Sequence, residues 1–339
     1  MIIILADILH KIAAMDYKEY DFRPRPSLAG PERCIRQMVM WGLKIPRSPM
    51  PGRAVMVFDD STWHAELILD WLRKSAFQIH SQEMPVLCRP PMGRGLIDGI
   101  ITDIEKVDRL LEIKAISHFS FQRLWDGPLP LDNLTQVAIY LDAIKEENPQ
   151  IDEAILLIKS KNTATFLEYR LHYKWDVMTV IEMINSQGER KSDPTFIPNI
   201  YQDAIDKFNL VHDYIAQKRL PKRQYEMNDW RCQYCSWHGP CWENYQEEFK
   251  ELKTDYIMPE EFGTAIRFYQ ELGGQISDMQ KQRDQVRARI ITNMKEADAR
   301  EGRAEEYIVR LRLEQHSEYT VSAKTIEKFW VQKIKGNST

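Results

Sequence analysis

Two short apolar segments interrupted by charged residues constrain this 339-residue chain more than any other feature. They read G-L-I-D-G-I-I, which contains Asp98, and L-L-E-I-K-A-I, which contains Glu112 and Lys114. Apolar runs of this length are typical of buried strands, and residues 102–108 between them have the composition of a turn. A hairpin with its turn centred near Glu105 places Asp98 opposite Glu112, with β-carbons about 5 Å apart. Lys114 then shares their sheet face, because side chains on a strand alternate.

Two facing carboxylates in apolar strands repel each other unless a cation lies between them. Mg²⁺ or Mn²⁺ is the simplest such cation, because both ions prefer oxygen ligands and keep bound waters. Asp98, Glu112 and the backbone carbonyl of Ile113 are the candidate ligands, and Lys114 is placed to orient or deprotonate an attacking water. The spacing leaves open an ordinary hairpin in which Glu112 and Lys114 form a surface ion pair.

A further pair, Gln136 and Tyr140, lies four residues apart and so shares one face of a predicted helix. With this pair, the charged strand residues resemble the PD-(D/E)XK nuclease superfamily, and within it the RecB-like branch. The resemblance implies an α/β fold of the restriction-endonuclease type, with a mixed central sheet flanked by helices. It implies that the Asp, Glu and Lys are catalytic, that His64 is a further metal ligand, and that Gln136 and Tyr140 orient the substrate. Taken alone, His64 shares a helical face with apolar neighbours, which favours a core histidine.

Four of the five cysteines form a second pattern, with one far upstream of a tight group of three: Cys34, Cys232, Cys235 and Cys241. This layout resembles that of RecB-like exonucleases that hold a [4Fe–4S] cluster, including the CRISPR-associated exonuclease family and the AddB subunit. The resemblance implies that these four thiolates bind such a cluster and join the two ends of the nuclease core. Zinc stays open as an alternative, because the group of three together with His238 also makes a tetrahedral ligand set. Cys88 has no partner at such a spacing and is interpreted as structural.

The resemblance implies a metal-dependent DNA exonuclease that hydrolyses phosphodiester bonds in DNA end processing, recombination or repair. Its substrate would be single-stranded DNA or duplex ends. No P-loop motif is present, so duplex unwinding would need a helicase or recombination partner, or fraying of the ends. The alternative from a different class is a non-catalytic or weakly catalytic DNA-binding assembly factor, in recombination or CRISPR spacer acquisition.

The amino-acid composition is compatible with a DNA-processing protein of either class. Hydrophobic residues make up 43% of the chain and charged residues 28%, which is typical of a globular protein. We therefore expect no membrane partner and a cytoplasmic location. The net charge of −4 means that DNA binding requires local basic patches.

We predict four segments along the chain. They are an N-terminal arm with the first cluster cysteine (1–52), a RecB-like nuclease core (53–224), an iron–sulfur cysteine segment (225–245) and a mainly helical extension with a short strand (246–339). Helices are predicted over 175–186, 259–298 and 322–334. The long helix over 259–298 carries apolar residues at nearly heptad spacing, interrupted by Arg283. Packing on the same chain, a homo-oligomer contact and a DNA clamp all fit this stripe.

Overall fold

The computed structural model describes residues 5–252, 256–305 and 307–311. The chain divides into two compact units, Met1–Glu243 and Asn244–Thr339. The helix predicted over 322–334 lies outside the described residues.

Helices of the first unit, within the described ranges, are α1 (Leu5–Asp16), α2 (Ile35–Gly42), α3 (Gly52–Arg73), α4 (His118–Gln122), α5 (Leu131–Ile144), α6 (Ile200–Ala216), α7 (Trp230–Gln233) and α8 (His238–Trp242), with a 3₁₀ turn at Pro26–Leu28. Its strands are β1 (Gln78–His80), β2 (Met84–Leu87), β3 (Arg94–Ile97), β4 (Gly99–Thr102), β5 (Asp108–Ile116), β6 (Glu153–Ser160), β7 (Phe166–Lys174), β8 (Val177–Asn185), β9 (Arg190–Lys191) and β10 (Thr195–Pro198).

One mixed sheet organises this unit. Its strand order is β1-β4-β5-β6-β7-β8-β10, and β9 pairs with β8. Strands β5 and β6 are parallel, whereas their neighbours in the sheet pair antiparallel. β2 and β3 form a separate two-stranded ribbon. The α/β class with a mixed central sheet flanked by helices is therefore confirmed.

Helices cover both faces of the sheet at β5 and β6. The crossover between these parallel strands contains α5, which buries Leu134 and Val137 in the main core. On the other face, α3 packs Ile68 and Leu69 against Ile113 of β5. Because both faces are covered, β6 is a nearly continuous apolar run, and β5 buries apolar residues on both of its faces, Leu110 on one and Leu111 and Ile113 on the other.

The predicted helix over 175–186 is wrong, because this segment forms strand β8. Trp175 and Asp176 both have left-handed backbone angles, with φ of 52° and 59°, and they join β7 to β8 in a tight hairpin. Such turns match the twist of the paired strands. Met178 and Val180 are buried at alternating positions, so the strand period prevails over the apparent helical one.

The second unit contains α9 (Tyr245–Lys250), α10 (Phe262–Glu296) and a hairpin of β11 (Glu301–Ala304) with β12 (Tyr307–Arg310). The predicted long helix is thus confirmed as α10. Met294 is the residue of α10 that is buried. None of the helices in the described part of the chain is both long and apolar enough to cross a membrane.

Candidate functional site

The β4–β5 hairpin brings Asp98 next to β5. Its ladder pairs Thr102 with Asp108 and Gly99 with Leu111, so the turn is centred on residue 105 as predicted. The next position in this register sets Asp98 opposite Glu112. Asp98 also separates β3 from β4, and its Oδ2 accepts a hydrogen bond from the backbone N–H of Ile113 at 2.7 Å.

Glu112 is buried to 1% exposure on the sheet face that α5 covers. Its Oε1 lies 2.5 Å from Nζ of Lys114, and its Oε2 is buried with no hydrogen-bond partner among the described residues. The pKa of Glu112 is raised to about 7, chiefly by burial; Lys114 pulls the pKa down and the charge of Asp98 pushes it up. A buried carboxylate oxygen without a donor carries a desolvation cost, so this atom is available to a cation.

Lys114 is the cation that the structure does provide. Burial opposes its charge, but the attraction of Glu112 and Asp98 outweighs burial and raises the pKa of Lys114. Arg33 is close enough to act on Lys114 with the opposite sign. Lys114 therefore stays protonated while it is paired with Glu112.

Helix α5 places Gln136 and Tyr140 beside the carboxylates. Gln136 Nε2 donates to the Tyr140 hydroxyl at 3.3 Å, and both side chains are buried. Burial, followed by the charge of Glu112, raises the pKa of Tyr140. The Tyr140 ring lies over Gly95 of β3, where an added β-carbon would meet ring atom Cε1 at 2.5 Å. The structure thus brings five of the predicted residues together: Asp98, Glu112, Lys114, Gln136 and Tyr140.

His64 has different neighbours. Its Nδ1 lies 3.0 Å from Nζ of Lys159 and its Nε2 lies 3.6 Å from Asp60. Lys159 pairs with Ala115 across β5 and β6, so its side chain leaves the sheet on the face opposite to Lys114. Burial and then the charge of Lys159 lower the pKa of His64. The contacts of His64 are therefore with Lys159 and Asp60, and not with the carboxylate pair.

Two glutamates that the sequence did not single out lie near Asp98. Burial is the main reason that the pKa of Asp98 is raised, and Glu83 and Glu66 raise it further. Neither glutamate belongs to a local sequence pattern. Glu66 lies on the exposed side of α3, and Glu83 directly precedes β2. Across residues 5–252, 256–305 and 307–311, no three His, Cys, Asp or Glu side chains lie close enough together to hold a metal ion. A metal at Asp98 and Glu112 would therefore need backbone carbonyls, such as that of Ile113, and water as further ligands.

The four patterned cysteines line one cavity of about 310 Å³: Cys34, Cys232, Cys235 and Cys241. The pKa of the Cys232 thiol is raised to about 12, chiefly by burial and then by the neighbouring thiols, Cys34 first. Burial also raises the pKa values of Cys34 and Cys235. His238 lines the same cavity. These thiols are near enough that they would repel one another as thiolates. A positively charged inorganic centre bound between them would relieve that repulsion.

Hydrogen bonds join the cysteine segment to the N-terminal arm around this cavity. The Trp237 indole donates to the Ile45 carbonyl at 2.9 Å, and the Ser48 N–H donates to the Ser236 carbonyl at 2.9 Å. The Tyr225 hydroxyl donates to the carbonyl of Glu32 at 2.8 Å. Residues almost two hundred positions apart are therefore held together by the protein's own contacts.

No family model and no curated protein matches this chain. Among solved structures it is similar to one titled "Crystal structure of SSO0001", with 12% sequence identity and a TM-score of 0.36, over 69% of this chain and 94% of that chain. At this TM-score the likeness identifies neither a fold family nor a function.

Proposed function

We propose that this chain is a metal-dependent DNA exonuclease with a RecB-like PD-(D/E)XK core. The observation that carries the proposal is the buried Glu112 carboxylate. Within the described part of the chain, one of its oxygens has no partner, and Lys114 pairs with the other. A surface ion pair would leave both oxygens to water, so the plain-hairpin alternative does not explain a glutamate at 1% exposure.

The residues fit a hard divalent cation. Asp98 and Glu112 supply carboxylate oxygens from adjacent strands, and the Ile113 carbonyl is a candidate neutral oxygen beside them. Mg²⁺ or Mn²⁺ takes such ligands and retains water. When bound, the ion would supply Lewis-acid polarisation of the scissile phosphate and a more acidic water. His64 remains a ligand in this proposal only through the resemblance, since its contacts lie on the other sheet face.

The chain's own residues contribute binding, orientation and charge. The Ile113 N–H fixes Asp98, and Lys114 both neutralises Glu112 and offers a charge that stabilises a developing phosphoryl oxyanion. The Gln136–Tyr140 pair forms a hydrogen-bonding surface on α5 next to this charge. Arg33 is half exposed, with 50% of its side-chain area accessible, and it adds positive potential that favours a polyanion.

The cysteine cavity fits a [4Fe–4S] cluster as its cofactor. Four thiols without disulfide bonds line one cavity, and thiolate ligation is the chemistry of such clusters. A single zinc ion needs four ligands gathered within Zn–S distances of about 2.3 Å. A cubane of four irons takes one thiolate per iron, so it would use all four cavity cysteines, Cys34 included.

Cleavage of end-labelled single-stranded and duplex DNA tests the proposal. Purified protein should degrade DNA from its ends with Mg²⁺ or Mn²⁺ and not with EDTA. Asp98→Ala and Glu112→Ala should each abolish cleavage and leave DNA binding largely intact, while Glu105→Ala in the exposed turn of the same hairpin should retain activity. DNA binding without metal-dependent cleavage by the wild-type protein would favour the assembly-factor alternative instead.

A further inference from the structure

Helix α10 carries a seam with alternating spacings of three and four residues, which is apolar except at Arg283 and Asn293. Its ten positions are all exposed: Phe262, Ala265, Tyr269, Leu272, Ile276, Met279, Arg283, Val286, Ile290 and Asn293. Eight of the ten are apolar or aromatic. This spacing repeats every 3.5 residues, whereas a straight helix turns every 3.6 residues and drifts about 20° per heptad. A seam that keeps the heptad over the full helix is typical of a helix that supercoils with a partner helix.

The helix is also a poor candidate for standing alone in water. Gly273 and Gly274 lie in its middle, and glycine is the weakest helix former after proline. Most helical stability in proteins comes from packing of an apolar face. In this 35-residue helix with central glycines, Leu272, Ile276, Met279 and Val286 of the seam are exposed, and packing against another helix would bury them.

Charge along α10 selects the partner and its direction. Within α10, residues 262–278 contain two carboxylates and one arginine, a net charge of −1, and Glu260 and Glu261 lie just before the helix, whereas residues 279–296 contain five basic residues and two carboxylates, a net charge of +3. In a parallel pair each half would face a half of its own sign. In an antiparallel pair the acidic half of one helix faces the basic half of the other, and complementary charge favours that orientation.

The seam is also self-complementary under a two-fold axis between Ser277 and Asp278. In a two-fold contact, if one residue meets a second, then the second meets the first. That axis pairs Ile276 with Met279 of the other copy, and it pairs every other seam position of one copy with a seam position of the other. Arg283 then faces Leu272 of the other copy. The two copies of Arg283 are eleven residues apart along the helix axis, about 16 Å at 1.5 Å per residue. A parallel pair would instead set Arg283 against Arg283.

We propose that α10 is a homodimerisation helix, which pairs with α10 of a second copy of this chain as an antiparallel two-helix coiled coil. The second copy is the partner because the opposite charges and the matching seam both lie on this one helix. The proposal does not depend on the nuclease assignment, since its test measures association and not cleavage.

Sedimentation of the full-length protein tests the interface. The wild-type chain should be a dimer at micromolar concentration, and Ile276→Glu should raise the dimer Kd by at least about a hundredfold, because it buries two charges at the central layer. Ser277→Glu, with the same charge on the adjacent outward position, should remain dimeric. Ile276→Ala is the second variant, expected to weaken the dimer by about tenfold without adding charge; circular dichroism checks that each variant is folded.

Disulfide mapping tests the orientation. Leu272→Cys and Arg283→Cys chains, mixed and oxidised, should form a disulfide between the two variants, because an antiparallel pair sets these positions opposite each other. Each variant alone should not cross-link through its new cysteine. A Leu272→Cys homodisulfide would show a parallel pair and overturn the orientation. A monomeric wild-type chain, or an Ile276→Glu variant that dimerises like wild type, would overturn the interface.

Discussion

Replacing Glu112 by glutamine removes its charge, keeps its shape, and should make the metal-free protein more stable above neutral pH. The pKa of Glu112 rises from 4.5 to about 7 on folding, chiefly through burial. Between these pH values the folded state binds a proton that the unfolded state has released, so stability falls as pH rises. A shift of this size is worth about 3 kcal/mol at 1.36 kcal/mol per unit.

We therefore expect the difference in the free energy of unfolding between Glu112→Gln and wild type to increase by about 3 kcal/mol, in favour of the variant, from pH 4.5 to pH 8. Urea denaturation in EDTA at a series of pH values measures it. Lys114 keeps 28% of its side-chain area exposed, so losing its partner does not strand a fully buried charge. Glu105→Gln, in the exposed turn of the same hairpin, is the control and should show no such increase.

A stability difference that stays flat with pH, or that decreases, would refute the reasoning that burial of the Glu112 carboxylate costs more than its pairing with Lys114 returns. The same variant should lose cleavage in Mg²⁺ or Mn²⁺. A substitution that raises stability and abolishes activity, as expected of Glu112→Gln, is typical of a residue that is retained for function.

Three further changes test other parts of the site. Lys114→Ala should leave metal binding measurable and lower the cleavage rate at saturating metal by ~10²-fold or more; a normal rate would make this lysine structural. Anaerobically purified protein should be brown with about four irons per chain, and Cys34→Ala should lose the iron and lower the Tm. Colourless protein with one zinc per chain that Cys34→Ala does not remove would show that the site binds zinc and not a cluster. Gly95→Ala should destabilise the fold by about 1–3 kcal/mol and reduce cleavage through the displaced tyrosine, while Gly93→Ala, whose β-carbon would meet nothing within 4 Å, should do neither.

The elements that the sequence predicted well are those with a single dominant period. The β4–β5 hairpin follows from two buried runs and one turn, so its register could be counted from Glu105 outward. Helix α10 follows from its heptads. Strand β8 was predicted as a helix because its apolar residues at 177, 180, 181 and 184 have the i, i+3, i+4, i+7 spacing of a helical stripe. The left-handed pair at 175 and 176 separates the two structures.

Relations between elements that are distant in sequence could not be read in the same way. A helix pattern shows that His64 lies near the apolar face of α3, but it does not show which face of the sheet that helix covers. The packing of α3 against Ile113 decides this, and the β5–β6 register places Lys159 on the same face, where it contacts His64. The lone Oε2 of Glu112 is likewise invisible in the sequence, because it depends on what every neighbouring element leaves unpaired.

The two candidate centres are joined through one carboxylate. Asp132, in the first turn of α5, accepts a hydrogen bond from the Glu32 N–H at 2.9 Å and pairs with Arg33 at 3.1 Å. Gly30 approaches so closely that an added β-carbon would lie 2.3 Å from the Asp132 α-carbon. The arm that ends in Cys34 is thereby fixed to the helix that carries Gln136 and Tyr140, and Arg33 acts on the charge of Lys114. A cofactor held by Cys34 would therefore fix the position of a charge felt at the carboxylate pair, which gives a cluster distant in sequence a physical route to influence the reaction.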